Sequence, residues 1–316
     1  MSGDSSSPRP SIGGQAVLEG VMMRGPSSWS VACRKPDSTI AVERHELPGI
    51  AARHPWLKKP LLRGCLVLAE SLVIGVRALM ISANTSLEED QSMSDRQLGY
   101  TVGVSMVIFS AIFIVLPVLG TRLIGNLLGG VAQDEPLAFN LIEGTVRLSM
   151  FVGYLLFIGR FKDIRRVFQY HGAEHKTIYA YENGDELDPS EIDNKYPTLH
   201  VRCGTNFLFI VLSLTIVAHF IIDVLVSAAL LPRVAIRLAA IPLLAGISYE
   251  AIKLASKNEE SFVFKILMLP GLALQRITTK PPSLDQIEVA IAAMKAVAAD
   301  LGDPRFPRVE PDPPIS

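Results

Sequence analysis

The feature that most constrains this chain is a set of apolar runs longer than a soluble core needs. Residues 99–120, "GYTVGVSMVIFSAIFIVLPVLG", carry no charge. About 20 such residues make a helix that spans the roughly 30 Å hydrocarbon layer of a bilayer. Similar runs cover 138–159, 206–231 and 235–256. Composition agrees, since 49% of the 316 residues are hydrophobic and 19% are charged, where a soluble domain carries about 25% charge. The expected fold class is mainly α: a polytopic helical membrane protein with about four spanning helices. A fifth run, 61–83, includes Glu70 and Arg77. Those charges make it a membrane-associated helix, surface-lying or re-entrant, as readily as a span.

The remaining segments read as extramembrane. Residues 1–11 are a Ser- and Pro-rich leader expected to be disordered. Residues 12–60 read as a small β module. Trp29, Val31 and Cys33 alternate with polar neighbours, as do Ile40 and Val42, and "RKPDST" between them carries turn chemistry at Pro36 and Asp37. Residues 257–301 are expected to form amphipathic helices. Within "PPSLDQIEVAIAAMKAVAADLG", Ser283 and Gln286 make a capping box, and Leu284, Ile287, Ile291, Met294, Ala298 and Leu301 follow 3-4 spacing. Such a stripe docks on the protein itself or on a protein partner. Residues 302–316 are a Pro-rich tail.

Basic residues set the expected orientation. Arg160, Lys162, Arg165 and Arg166 follow the second span, against Arg122 in one opposite link and Arg233 in the other, with Arg237 just inside. The positive-inside rule places 160–205 and both termini in the cytoplasm of a multi-pass cell-membrane protein. Segment 61–83 must then not cross fully, or the β module would change sides. The first fifteen residues contain no apolar core, so no cleavable signal peptide is expected. Cys33, Cys65 and Cys203 are odd in number and scattered, which suggests no disulfide framework. A net charge of -1 gives no case for nucleic acid.

Chemistry concentrates in "YHGAEHKTIYAYENGDE", from Tyr170. On a helix, His171 and His175 lie one turn apart on one face and can share a metal ion. With Glu174 they spell His-x-x-Glu-His, a pattern in which the acid serves as general base. Gly172 and Ala173 keep that face small for an approaching ion or substrate. A divalent metal is implied, with zinc the default for imidazole ligands. A third ligand is needed: "HVRCG" offers His200 and Cys203 at a spacing that suits a turn, Glu182 follows in the same loop, and Glu250 stands in the fourth span with Lys253 as its alternative partner. Of six histidines in the chain, three fall between 171 and 200, which raises the metal reading above a chance match.

Other polar residues invite plainer readings. Glu143 and Arg147, at i, i+4, can neutralise each other inside a span. His219 and Asp223 read as a hydrogen-bonded pair before they read as a proton relay. "GGQAVLEGVMMRG" lacks the Lys-Ser/Thr of a phosphate loop. Its glycines suit close packing in the β module, and Glu19 and Arg24 could reach the histidines.

Four segments, "GGQAVLEGVMMRGP", "YHGAEHKTIYAYE", "HVRCGTNFLFIVLSL" and "GISYEAIKLAS", resemble the signature stretches of the YqhQ-like family of bacterial multi-pass membrane proteins, which are commonly labelled predicted metal-dependent enzymes. The resemblance runs from Gly13 to the amphipathic tail. It implies that Glu19, Met22, Arg24, His171, Glu174, His175, His200, Cys203 and Glu250 are motif positions.

Two functions follow as expectations. The first is a metal-dependent hydrolase at the cytoplasmic membrane face, acting on a membrane peptide or lipid. His171 and His175 are its ligands, completed by His200, Cys203 or Glu250; Glu174 is its base, and Arg24 or Arg202 holds developing negative charge. The alternative is a non-enzymatic membrane scaffold or assembly factor whose histidines form a closed structural metal site or a hydrogen-bonded joint. A transporter ranks last, because no inverted repeat is visible.

Overall fold

The computed structural model describes residues 12–47, 49–86, 94–127, 136–225, 230–255, 258 and 261–307. The expected disordered leader and most of the Pro-rich tail lie outside them. A four-stranded antiparallel sheet runs in the order β1 (Gly13–Val17), β2 (Gly20–Arg24), β3 (Ser28–Arg34), β4 (Ile40–Glu46). The expected hairpin is β3–β4, in register from Ser28↔Glu46 to Arg34↔Ile40. Asp37 shapes its turn by accepting from the Thr39 N–H and hydroxyl at 2.9 and 2.6 Å. A second hairpin, β1–β2, extends the expected module. Its tip holds Glu19 at φ 48, a left-handed conformation that costs a residue with a Cβ.

The helices are α1 (Ile50–Arg53), α2 (Leu62–Ser86), α3 (Asp95–Ser110), α4 (Leu116–Leu127), α5 (Pro136–Ile158), α6 (Lys162–Asn183), α7 (Pro189–Lys195), α8 (Gly204–Leu225), α9 (Leu230–Ala255), α10 (Phe262–Thr278) and α11 (Leu284–Asp300). Among the described residues, four helical stretches are long and apolar enough to cross a membrane: Leu62–Ser86, Leu137–Ile158, Gly204–Ile222 and Ala235–Leu254. Three are expected spans, and the fourth, Leu62–Ser86, is the segment that the sequence left open between a span and a surface-lying or re-entrant helix. The 99–120 run is not a single α-helix, because α3 passes into a π-helical turn at Ala111–Val115 before α4 resumes. Among the described residues its apolar helix covers only Gly99–Phe113. The stretch "LPRV", residues 231–234, lies between the expected third and fourth spans. It opens α9, where Pro232 is tolerated in the first turn, and the link itself falls on 226–229, outside the described residues.

The α5 charges pair as their spacing predicts, and α9 joins them. Arg147 reaches Glu143 at 2.5 Å, while Arg237 lies 3.2 Å from Glu143 and 3.3 Å from Asn140.

The sheet divides its side chains between two partners by period-2 alternation. Val17, Met22, Trp29, Val31 and Cys33 pack toward Ile74 and Ala78 of α2. Val21, Met23 and Ala32 pack the other way, onto α6 and α11. Ser28 and Ser30, expected to be solvated, are therefore buried. The Ser30 hydroxyl donates to the Ala293 carbonyl at 2.7 Å, which satisfies it there.

α11 begins with the expected capping box, the Ser283 N–H donating to Gln286 Oε1 at 2.9 Å. Its stripe is wider than one face, because Ile287, Val289, Ala290, Ala293, Met294 and Val297 are all fully enclosed. Of the two expected roles the stripe takes the first, docking on the protein itself, against the chain's own sheet and α6 and α7. α10 instead lies beside α8 and keeps Phe262, Val263 and Ile266 exposed.

Candidate metal centre

α6 carries the histidines. It ends at Gly184, which takes the left-handed conformation at φ 82 while its N–H reaches the Tyr181 carbonyl at 3.1 Å. Gly172 does not open the face to a substrate as its small size suggested. A Cβ there would come within 2.2 Å of the Lys280 carbonyl oxygen, so the glycine admits the chain segment that links α10 to α11. The Lys280 N–H donates to the Phe168 carbonyl at 2.9 Å in the same place. Ala173 is part of the core.

The two imidazoles are oriented alike. His171 Nδ1 lies 3.0 Å from the Thr278 carbonyl oxygen, and His175 Nδ1 lies 2.5 Å from that of Thr198. A carbonyl only accepts, so both Nδ1 atoms carry the hydrogen and both Nε2 lone pairs are free. His171 Nε2 faces Cys203 Sγ at 3.2 Å. His175 Nε2 is buried without a well-formed hydrogen bond. One ligand atom from each of His171, His175 and Cys203 lies within 4.8 Å of the others.

This donor set fits a metal. Tetrahedral zinc holds nitrogen at about 2.0–2.1 Å and sulfur at about 2.3 Å, which separates such a pair by about 3.5 Å. The observed 3.2 Å needs only a small opening. Nδ1–H donated to a main-chain carbonyl is also the usual way a ligating histidine is held.

The electrostatics support the same assignment. Burial lowers the His175 pKa and keeps the ring neutral. Burial pushes the Cys203 thiol up, but His175 and Thr205 outweigh it, and the thiol sits below its ordinary value. Glu174 is buried beside them, pushed up to about 8 by burial against the pull of His171. Its Oε2 has no hydrogen-bond partner, and Gly14 of β1 packs on it so closely that a Cβ would lie 2.7 Å from its carboxylate.

The expected turn at 200–203 forms, with the Cys203 N–H 3.3 Å from the His200 carbonyl. It brings Cys203 within 4.8 Å of the imidazole ligand atoms and sets the His200 ring beside His175, centroids 5.5 Å apart. His200 turns toward Tyr179, ring centroids 4.4 Å apart, and toward Glu182 at 3.8 Å. Arg202 pairs with the same Glu182. Glu250 stands apart, and its partner is Arg63 of α2; the spacing had pointed to Lys253. Arg24 does not reach the histidines either. Alternation along β2 puts it with Met22 on the α2 face, where it binds Glu70 and Ser71 at 2.6 Å. Glu19 is held to α6 by Arg166, with Tyr170 3.3 Å away. Sequence reasoning missed Gln275. Fully buried, it accepts from the His200 N–H and donates to the His200 carbonyl, both at 2.8 Å, and so anchors the turn that carries Cys203. An amide near the end of the apolar run "LMLPGLALQ" was the available signal. Asp223 lies on α8, but its side chain falls outside the described residues.

Residues 59–300 match the family model described as a protein of unknown function, DUF1385. The chain belongs to this family. The matched region holds the whole His/Cys/Glu cluster, whereas the sheet precedes it. Uncharacterized protein YqhQ of Bacillus subtilis (strain 168) is 34% identical over 296 residues, covering 89% of this chain and 90% of that protein. No solved structure matches the chain.

Proposed function

We propose that the chain is a metal-dependent hydrolase of the cytoplasmic membrane face. His171, His175 and Cys203 hold a divalent ion, zinc by donor type, and Glu174 is the general base. One observation carries this reading: two Nε2 lone pairs and a thiol of lowered pKa converge beside a buried carboxyl that has nothing to bind. Three ligands with a base close by is the pattern of open catalytic sites, whereas structural zinc takes four. When bound, such an ion supplies Lewis acidity toward a carbonyl or phosphoryl oxygen.

The chain's own groups supply the rest. Burial keeps a proton on Glu174 up to about pH 8 in the absence of an ion; a divalent ion held beside it would favour the carboxylate, which would then take the proton from the attacking water and return it to the leaving group. Arg202, fixed by Glu182 next to Cys203, offers positive charge to a developing oxyanion. α8 starts at Gly204, directly after Cys203. That position at the head of an apolar helix favours a membrane peptide or lipid as substrate. The basic residues Arg160, Lys162, Arg165 and Arg166 support the cytoplasmic side.

A second reading has its own observation. The histidines tie α6 to the main chain at Thr198 and Thr278, as a structural joint would. Metal content of detergent-purified protein, with zinc, iron and manganese each offered, separates the two. About one ion per chain, lost in His175→Ala and Cys203→Ala but kept in Glu174→Gln, is the expected result for the enzyme. Metal retained in a His171→Ala/His175→Ala double variant overturns the ligand assignment. No ion in any preparation leaves the joint.

A further inference from the structure

Length and composition let α2 cross a membrane, but its contacts do not. From Val67 to Ser86 the helix is laid along the β-sheet. Arg24 of β2 reaches the Val67 carbonyl, Glu70 and Ser71. Ile74 and Ala78 sit in the cluster with Trp29 and Val31. A Cβ on Gly75 would touch Gln15. At the far end Ser82 Oγ accepts from the Leu18 N–H at 3.1 Å, and Ser86 Oγ donates to the Leu18 carbonyl at 3.4 Å. At about 1.5 Å per residue, that contact occupies roughly 30 Å of helix. The N-terminal end of α2 also packs on α9, where Arg63 meets Glu250, Gly64 meets Tyr249 and the Cys65 thiol donates to the Pro242 carbonyl at 3.0 Å. A helix cannot lie along an extramembrane sheet for this length and also thread the hydrocarbon.

The opposite side of the same helix is apolar and open. Leu68, Leu72, Val73 and Leu79 are exposed, with Arg77 at the edge of the face. We infer that this face is a bilayer-docking surface: α2 lies flat in the headgroup region, with the sheet on its aqueous side and acyl chains beneath. Two features commit the face to lipid. It is continuous, through the first turn, with the apolar helix α9. It also places a cation level with the phosphates, as interfacial helices do. The sheet contacts α6 directly, through Gly14 on Glu174 and Glu19 on Arg166, so the two share one side of the membrane. The chain between them therefore crosses an even number of times. If α2 lies flat, the return partner of α5 is the broken run from α3 to α4.

Thiol labelling of the full chain in sealed vesicles of phosphatidylethanolamine and phosphatidylglycerol tests this, with the unmodified chain as baseline. Glu46→Cys and Ser94→Cys are expected to react with an impermeant maleimide from the same side. Reaction from opposite sides overturns the proposal. Nitroxides at Leu72→Cys and Leu79→Cys give a second readout. Equal, shallow depths are expected, whereas a crossing helix would separate them by about 10 Å and sink the idea. Neither readout involves a metal, so failure here is distinct from failure of the hydrolase reading.

Discussion

Two buried polar clusters in this molecule are built on opposite principles. In the cluster between α5 and α9 the carboxylate is fully bound: Glu143 is held by Arg147 and Arg237, and Asn140 takes a further guanidinium contact. The cluster at the end of α6 is open, with His175 Nε2 and Glu174 Oε2 buried and unmatched. A fully bound carboxylate holds helices together in an apolar medium, where every unmet charge is costly. An open cluster forgoes stability in return for chemical capacity. Titratable residues at similar spacing on a helix thus do different work, according to whether their last valences are filled from within the chain.

Substitutions should separate the two sharply. The largest effect is expected for Glu143→Met, which leaves two guanidinium groups buried without their carboxylate. A loss of about 3–5 kcal/mol is expected, read as the fall in thermal stability in detergent. The matching change at the other cluster, Glu174→Met, should run the opposite way. It removes an unmatched buried carboxyl and is expected to stabilise the metal-free protein by about 1–3 kcal/mol, while abolishing any turnover. Equal losses at both sites would break the comparison.

A pH series sharpens it further. In metal-free protein the folded-state value of Glu174 is raised from 4.5 to about 8. Between those values the folded chain keeps a proton that the unfolded chain has released. Stability should therefore decline as pH rises across that window and level off above about 8. Glu174→Gln should flatten the profile. The smallest effect is expected for Glu250→Gln, at the joint of α2 and α9, with metal content unchanged and melting little altered. Loss of the ion in that variant would return Glu250 to the ligand set.

Much of this was legible from spacing. The i, i+4 separation of His171 and His175 predicted a shared face, and Gly204 a turn at 200–203 offering His200 or Cys203; the shared face and the turn both formed. Ligand choice between His200 and Cys203 was not legible. It depends on Gln275, distant in sequence, which clamps the His200 main chain and turns that ring toward Tyr179. The Thr198 and Thr278 carbonyls that set the imidazole tautomers leave no trace in side-chain identity. Arg24 and Glu250 were misplaced for a related reason: an isolated charge shows that it needs a partner but not which one, and α2 supplied both partners. In the fold, strand alternation found β3 and β4. It understated burial, because the polar neighbours Ser28 and Ser30 are buried, with Ser30 bonded to α11.

That covering helix sets an order of events during synthesis. The sheet emerges first, with one face bare, and the residues that close it are about 250 positions later. At about 5–20 residues per second the ribosome needs on the order of ten seconds or more to deliver α11. During that time the apolar helices are made and the sheet waits half-clad. Completion of the packing around the sheet thus reports that the chain has been made at least through α11. A product stopped short of Leu284 would show the naked face of Val21, Met23 and Ala32 to the proteases that clear unfinished membrane proteins.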